Sequence, residues 1–248
     1  YKANQTELDD KYGYYFSPHC GLFEFFEGKE IKVSYFDEDI KEITRTLLNY
    51  PISCILRQRG FSILHASCIK FQDKTILFAG SSGSAKSSLA AIFLSKGAKL
   101  ISEDISSIEI VENRAYILPT YPWIKLSNEI NDHLKLFPNE GIPFPKENLK
   151  RMGFIAKDHF EDEIREIDYI IFPEWSEKIQ LKKLSLEDSL KHLLESSYGF
   201  FDSARKINKL DFNNYTHLIK KTNMFRLKHT KVISDLDLTY NELLSIFD

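Results

Sequence analysis

The chain has 248 residues, of which 43% are hydrophobic and 28% charged, and it carries a formal net charge of −3 at pH 7. That size suits one α/β domain or a domain with a small appendage, and the composition is ordinary for a chain that buries a full core. The slight negative charge argues against nucleic acid as a partner; no apolar run is long enough to span a bilayer and no signal peptide or basic arm is visible, so the expectation is a cytoplasmic protein without a membrane partner.

From the N-terminus, residues 11–36 alternate apolar and polar side chains, as in Leu22-Phe23-Glu24-Phe25-Phe26 and Ile31-Lys32-Val33-Ser34-Tyr35-Phe36. This predicts a β-hairpin or small meander. Asp37 or Asp39 is placed to cap a helix that runs to Leu48, and Pro51 to open a second that ends at Gly60. Residues 1–60 therefore read as a β-hairpin plus helices packed on a core of residues 61–248, the whole forming one compact unit. Cys20, Cys54 and Cys68 lack metal-ligand spacing and fit reduced core thiols. A strand over 61–71 comes next, and the turn Gln72-Asp73-Lys74 pairs it with the apolar run Thr75-Ile76-Leu77-Phe78-Ala79. The pairing would carry His65 toward the segment beyond Ala79, although a lone histidine on a strand is more often structural.

Directly after Ala79 come Gly80-Ser81-Ser82-Gly83-Ser84-Ala85-Lys86-Ser87-Ser88 and then a helical pattern over 89–94. Strand, glycine-rich loop and helix form the context of a phosphate-binding loop for ATP. Backbone N–H groups and the helix N-terminus face the phosphates, Lys86 bridges the β and γ groups, and Ser87 offers its hydroxyl to Mg²⁺. Ala85 replaces the second glycine of the template, which matters if that residue must take positive φ. Gly97 closes the helix, and Lys99-Leu100-Ile101-Ser102-Glu103-Asp104 reads as a short strand ending in two carboxylates. One acid at such a strand end can share Mg²⁺ with the loop hydroxyl, and its neighbour can accept a proton.

Residues 108–111 and 115–118 pair as another hairpin. An extended stretch leads through Pro119 and Pro122 to Lys125, and Ser127 caps a helix near 128–137. Residues 138–150 read as a mobile surface loop, and Lys150-Arg151 at its end is placed to clamp a phosphate or an acidic substrate. Two strands over 168–172 and 178–184 flank a turn at Pro173-Glu174-Trp175, followed by helices at 186–194 and 212–221, a strand at 225–227 and a last helix over 234–247.

The order His65, hairpin, glycine-rich loop, helix, Gly97 and Ser102-Glu103-Asp104 resembles the catalytic core of HPr kinase/phosphorylase and its relatives, a P-loop branch akin to phosphoenolpyruvate carboxykinase. The resemblance is close over 59–110 and weaker through Pro119, Pro122 and Lys125. It implies an α/β fold with a mixed sheet and flanking helices. It also implies that His65 sits by the phosphates, Glu103 is the base and Asp104 the Mg²⁺ ligand. Glu103 stands where the family usually has aspartate. The glycine- and arginine-rich segment of true HPr kinases is not recognisable, Lys150-Arg151-Met152-Gly153 being at best a remnant. Relatives of this length resemble kinases that tailor ribosomal peptides, notably those phosphorylating the C-terminal serine of lasso peptide precursors. The expectation is an ATP·Mg²⁺ kinase acting on a serine hydroxyl of a peptide or small protein, with Lys125 and Arg151 on the substrate side. The alternatives are an HPr-type protein serine kinase/phosphorylase and a catalytically decayed nucleotide-binding regulator. The sequence leaves a homo-oligomer open.

Overall fold

The computed structural model describes residues 5–36, 38–139, 141–143, 151–198 and 209–247. Its N-terminal part is a four-stranded antiparallel meander, β1 (Gln5–Leu8), β2 (Tyr12–Ser17), β3 (Gly21–Phe26) and β4 (Glu30–Tyr35), followed by α1 (Ile40–Leu47) and α2 (Tyr50–Gln58). Phe23 and Phe25, on one face of β3, pack with Cys20 and with Cys54 and Ile55 of α2, so one stripe of the alternating pattern becomes a small core. The Asp39 carboxylate accepts from the backbone N–H groups of Lys41 and Glu42 and so caps α1; Asp37 lies outside the described residues.

The strand expected over 61–71 is two strands in two sheets, β5 (Ser62–Leu64) and β6 (Ala66–Phe71), with His65 at the break. The break is held by the backbone of His65, whose N–H donates to Ser196 O and whose carbonyl accepts from Gly80 N. β6 runs antiparallel to β7 (Lys74–Ala79), which leads through the glycine-rich loop into α3 (Lys86–Ser95), and antiparallel to β8 (Lys99–Ser102). β5 joins β9 (Ser106–Val111), β10 (Arg114–Leu118) and the two-residue β14 (Arg165–Glu166) in a second sheet of order β14-β10-β9-β5.

β11 (Trp123–Ser127), β12 (Ile142–Pro143) and β13 (Arg151–Ile155) form a third small sheet in the order β11-β13-β12, so part of the expected loop is paired; Glu140 and residues 144–150, Lys150 among them, lie outside the described residues. Between β11 and β12, α4 (Asn128–Leu134) is capped by Ser127 and is shorter than expected. Lys135 takes a left-handed φ of 51°, and the Asn131 side chain bonds both N and O of Phe137, which turns the chain out of the helix.

The C-terminal third adds β15 (Tyr169–Trp175), β16 (Gln180–Lys183), α5 (Leu186–Ser196), α6 (Lys209–Lys221), β17 (Asn223–His229) and α7 (Leu236–Leu244). The main sheet thereby reads β16-β17-β15-β7-β6-β8, with β15 parallel to both β7 and β17 and the remaining pairs antiparallel. Pro173 to Trp175 continue β15 and do not form the expected turn. Its register with β7 stops at Ile171 opposite Phe78, so Pro173 lies beyond the last β7 partner, where a missing N–H costs no ladder bond on that side. β16 pairs with β17 and never with β15.

Alternation along β7 divides the core. Ile76 and Phe78 join Leu89, Ile92 and Phe93 of α3 and Leu236 and Leu243 of α7 on one face. Leu77 and Ala79 join Ile108 and Ile117 of the second sheet and Leu193, Tyr215 and Leu218 of α5 and α6 on the other. The fold is therefore α/β, a mixed sheet covered on both faces, which is why its inner strands read as unbroken apolar runs. Among the described residues no helix is long and apolar enough to cross a membrane.

Candidate active site

One end of the main sheet gathers the polar groups. β7 ends there in the glycine-rich loop, β6 begins there just after His65, and β8 ends there just before Glu103 and Asp104. Within the loop, Gly80, Gly83 and Ala85 all take positive φ, of 152°, 82° and 68°. Gly80 is favoured by its positive φ, and a Cβ there would also crowd Ser84 Oγ at 3.2 Å. α3 starts directly after Ala85, which caps it with no side-chain hydrogen bond, and the N–H groups of its first turn are left for an anion. Ser84 Oγ is buried without a hydrogen-bond partner in the same loop. Lys86 is buried too, and its Nζ donates to Ser81 O at 2.8 Å, folded back across the loop. Burial lowers the Lys86 pKa to about 8 despite the opposing pull of the Asp104 and Glu103 charges.

The two acids occupy different environments. Glu103 is 1% exposed, and its Oε1 accepts from Ser87 Oγ at 2.5 Å. Ser67 stands beside it and favours its ionised form, yet neither Glu103 Oε2 nor Ser67 Oγ completes a hydrogen bond by geometry. Burial first, and the neighbouring Asp104 charge second, push the Glu103 carboxyl up to about 7. Asp104 sits on a backbone bent to φ 61°, inside a tight turn closed by Ile105 N to Glu103 O at 2.7 Å. Its Oδ2 accepts from Lys125 Nζ at 2.5 Å, and its Oδ1 lies 3.6 Å from His65 Nε2. Burial alone would raise Asp104, but His65 and Lys125 outweigh it and hold the carboxyl well below the usual range. Burial depresses the His65 imidazole, with Asp104 pulling the other way.

These groups surround a cavity of about 220 Å³ lined by His65, Ser82, Gly83, Ala85, Lys86, Ser87, Ser88, Asp104, Lys125, Leu126, Ser127, Arg151 and Trp175. Lys125 and Arg151 reach it from adjacent strands, Lys125 lying opposite Gly153 and Arg151 opposite Ser127 in the β11–β13 register. Gly80, Ser81 and Ser84 stand behind the lining, and Glu103 lies beneath Ser87 without facing the cavity.

Three nearby aromatic residues were not singled out by the sequence. Tyr198 meets the His65 ring edge-on with centroids 5.8 Å apart, and Tyr121 is a half-buried phenol whose pKa is raised by desolvation and by both acids. Trp175 donates Nε1–H to Gly83 O at 2.8 Å. A strand running parallel beside β7 would have flagged Trp175, but Pro173 made that segment read as a turn.

The donor set fits a nucleotide's phosphates and one divalent ion. No group of three or more His, Cys, Asp or Glu side chains could hold a metal among the described residues. Mg²⁺ at a phosphate loop does not need one, because one or two protein oxygens complete a shell otherwise made of phosphate and water. Ser87 and Asp104 line the cavity and Glu103 bonds Ser87 from beneath, so these three carry the oxygens from which such a pair would come.

No protein-family model matches the chain. No curated protein matches it either. Among solved structures the chain is similar to the HPr(Ser) kinase/phosphatase from Coxiella burnetii, at 10% identity and a TM-score of 0.38, over 75% of this chain and 99% of that one. At that identity and score the likeness adds nothing to what the sheet, the loop and the acids themselves show.

Proposed function

We propose that this chain is a kinase that binds ATP with Mg²⁺ on residues 80–88 and transfers the γ-phosphoryl group to a hydroxyl, with a peptide serine as the acceptor class. The observation that carries the reading is the convergence of Lys86 and Ser87 with Glu103, Asp104 and His65 at one sheet end beside one cavity. A nucleotide-binding regulator needs the loop alone. With Glu103 beside Ser87 it could also hold the metal, but it gives no reason to set a second carboxylate, Asp104, on the cavity wall between Lys125 and His65.

The contacts favour exchanging the two acids' expected roles, since Glu103 meets Ser87 and Asp104 faces the cavity. Ser87 and Glu103 are the residues that would hold Mg²⁺, which when bound supplies neutralising charge to the β- and γ-phosphates. Asp104 orients the acceptor hydroxyl by accepting its hydrogen bond. The new P–O bond forms as the bond to the β–γ bridging oxygen breaks, releasing ADP, and the proton passes to Asp104 only once the acceptor oxygen is bonded to phosphorus and has become acidic. His65 and Lys125 keep the Asp104 carboxylate ionised and aimed. Lys86 and the first-turn N–H groups of α3 stabilise charge on the transferring group. Lys125, beside Asp104, and Arg151 both line the cavity and suit the carboxylate of a C-terminal serine, the lasso-precursor type of acceptor. The expected setting is the cytoplasm.

The test is phosphoryl transfer from ATP·Mg²⁺ to a panel of serine-ended peptides, read by mass spectrometry. The intact chain should form phosphopeptide. Asp104→Asn should slow it about 10²–10³-fold, and Lys86→Ala should abolish it. Normal ATP affinity without transfer to any hydroxyl would leave the regulator. Loss of the phosphoryl group from the product to added inorganic phosphate, forming pyrophosphate, would favour the HPr-type kinase/phosphorylase.

A further inference from the structure

The geometry points to Trp175 as the platform on which the base of the bound nucleotide stacks, an inference that rests on the nucleoside triphosphate reading of the loop. Across the main sheet the strands run β17, β15, β7, β6, β8. The groups suited to transfer, His65, Glu103 and Asp104, stand at β6 and β8, on one side of the loop. On the other side β15 and β17 run parallel to β7 and end at the same sheet end. Ligands of such sheets lie beyond the carboxyl ends of the parallel strands. A triphosphate lying along the loop with its γ end toward the acids therefore sends its nucleoside toward β15.

Trp175 is the last residue of β15 and lines the same cavity as Lys86. It is 38% exposed, a large fraction for an indole whose N–H is already donated, here to Gly83 O. The polar edge is thus tied to the loop, so the exposed share of the ring is apolar and belongs to the wall of the phosphate site. His229 at the end of β17 lies against the indole with ring centroids 4.3 Å apart. The exposed Lys231 places its Nζ 5.6 Å from the indole centroid, where an entering base can displace it. Stacking does not discriminate between bases, since each offers a π-face, so ATP and GTP should bind with similar affinity.

The experiment is a fluorescence and calorimetric titration of the intact chain, Trp175→Phe and Trp175→Ala with ATP, GTP and inorganic tripolyphosphate, each with Mg²⁺. Phenylalanine keeps an aromatic face and removes the N–H tether; alanine removes both. ATP and GTP should quench an emission that is missing in Trp175→Phe, while tripolyphosphate should compete for the loop without quenching. Trp175→Ala should weaken ATP about tenfold and leave tripolyphosphate nearly unchanged, and Trp175→Phe should stay within about threefold of the parent. Equal losses in the Phe and Ala variants would show that the tether is what matters and overturn the stack. Equal weakening of ATP and tripolyphosphate by Trp175→Ala would overturn it as well. So would unchanged ATP affinity with weaker peptide binding, which gives the platform to the acceptor. If tripolyphosphate binds the parent through Lys86 as tightly as ATP does, this inference alone falls; if neither binds, the nucleotide reading falls with it.

Discussion

At Ala85 a methyl group sits on backbone bent to φ 68°, a left-handed conformation that costs a residue with a side chain roughly 1–2 kcal/mol. Glycine there would relieve that strain but would also free the unfolded chain, which costs about 0.4–1 kcal/mol. Ala85→Gly should therefore gain at most about 1.5 kcal/mol and raise the melting temperature by up to about 6 °C in scanning calorimetry. ATP affinity close to the parent's would show that the loop tolerates the methyl group. Binding only in the glycine variant would show a blocked loop. Glu103 makes a second prediction from a single side chain. Its carboxyl is raised from 4.5 to about 7 by burial and by Asp104, so between those values the folded chain holds a proton that the unfolded chain has released. The stabilising contribution is complete below about 4.5 and is lost as pH rises through about 7. In the presence of a chelator, Glu103→Gln should match the parent near pH 4.5 and exceed it at pH 8 by on the order of 2–3 kcal/mol. Denaturant unfolding at the two pH values checks this, and a pH-independent difference would sink it.

Between neighbouring strands, the position of Lys125 depends on a glycine opposite it. Gly153 of β13 pairs with Lys125 of β11, and a Cβ on Gly153 would lie 1.8 Å from Trp123 Cζ2. A rigid indole cannot yield as a flexible side-chain end could, so the strands must part. Gly153→Ala should cost about 1–3 kcal/mol and slow transfer by moving Lys125 away from Asp104. Adding Trp123→Phe, a smaller ring, should restore both stability and rate; rescue of neither would show that the contact is not the cause. Pairing between strands also explains what the sequence disclosed. Alternation along β2 to β4, and the strand-loop-helix order around Gly80, are local patterns, and the structure keeps both. The break at His65 was hidden because residues on either side of it are buried, giving one apolar run with no turn residue inside it. Pro173 looked like a terminator because only tertiary register shows that β7 has already ended beside it. The split between Glu103 and Asp104 was hidden for a similar reason, since adjacent residues point apart and only the fold reveals which one meets Ser87.

Across the whole molecule, the N-terminal layer reaches the active site through Arg57 and through two tyrosine hydroxyls. Arg57 of α2 donates Nη1–H to Asp211 at 2.6 Å and Nη2–H to Ser197 Oγ and to Tyr198 O. The Tyr198 hydroxyl donates to Asn49, and its ring meets His65; Tyr121, from beside the acids, donates to Leu48 O. The meander and its helices therefore brace the segment whose Ser196 carbonyl holds the His65 N–H. Side-chain exposures of 8% and 6% make Arg57 and Asp211 a desolvated pair, so Arg57→Ala leaves a buried carboxylate without its guanidinium and should cost about 3–5 kcal/mol. Replacing both partners by Arg57→Met and Asp211→Leu removes the buried carboxylate together with the guanidinium and should return most of that stability. It does not return the two hydrogen bonds that place Ser197 and Tyr198. If this bracing sets the position of His65, the double variant will unfold near the parent's denaturant midpoint yet transfer phosphoryl groups more slowly. Recovery of stability and rate together would confine the pair's contribution to folding and leave His65 positioned by its own strand.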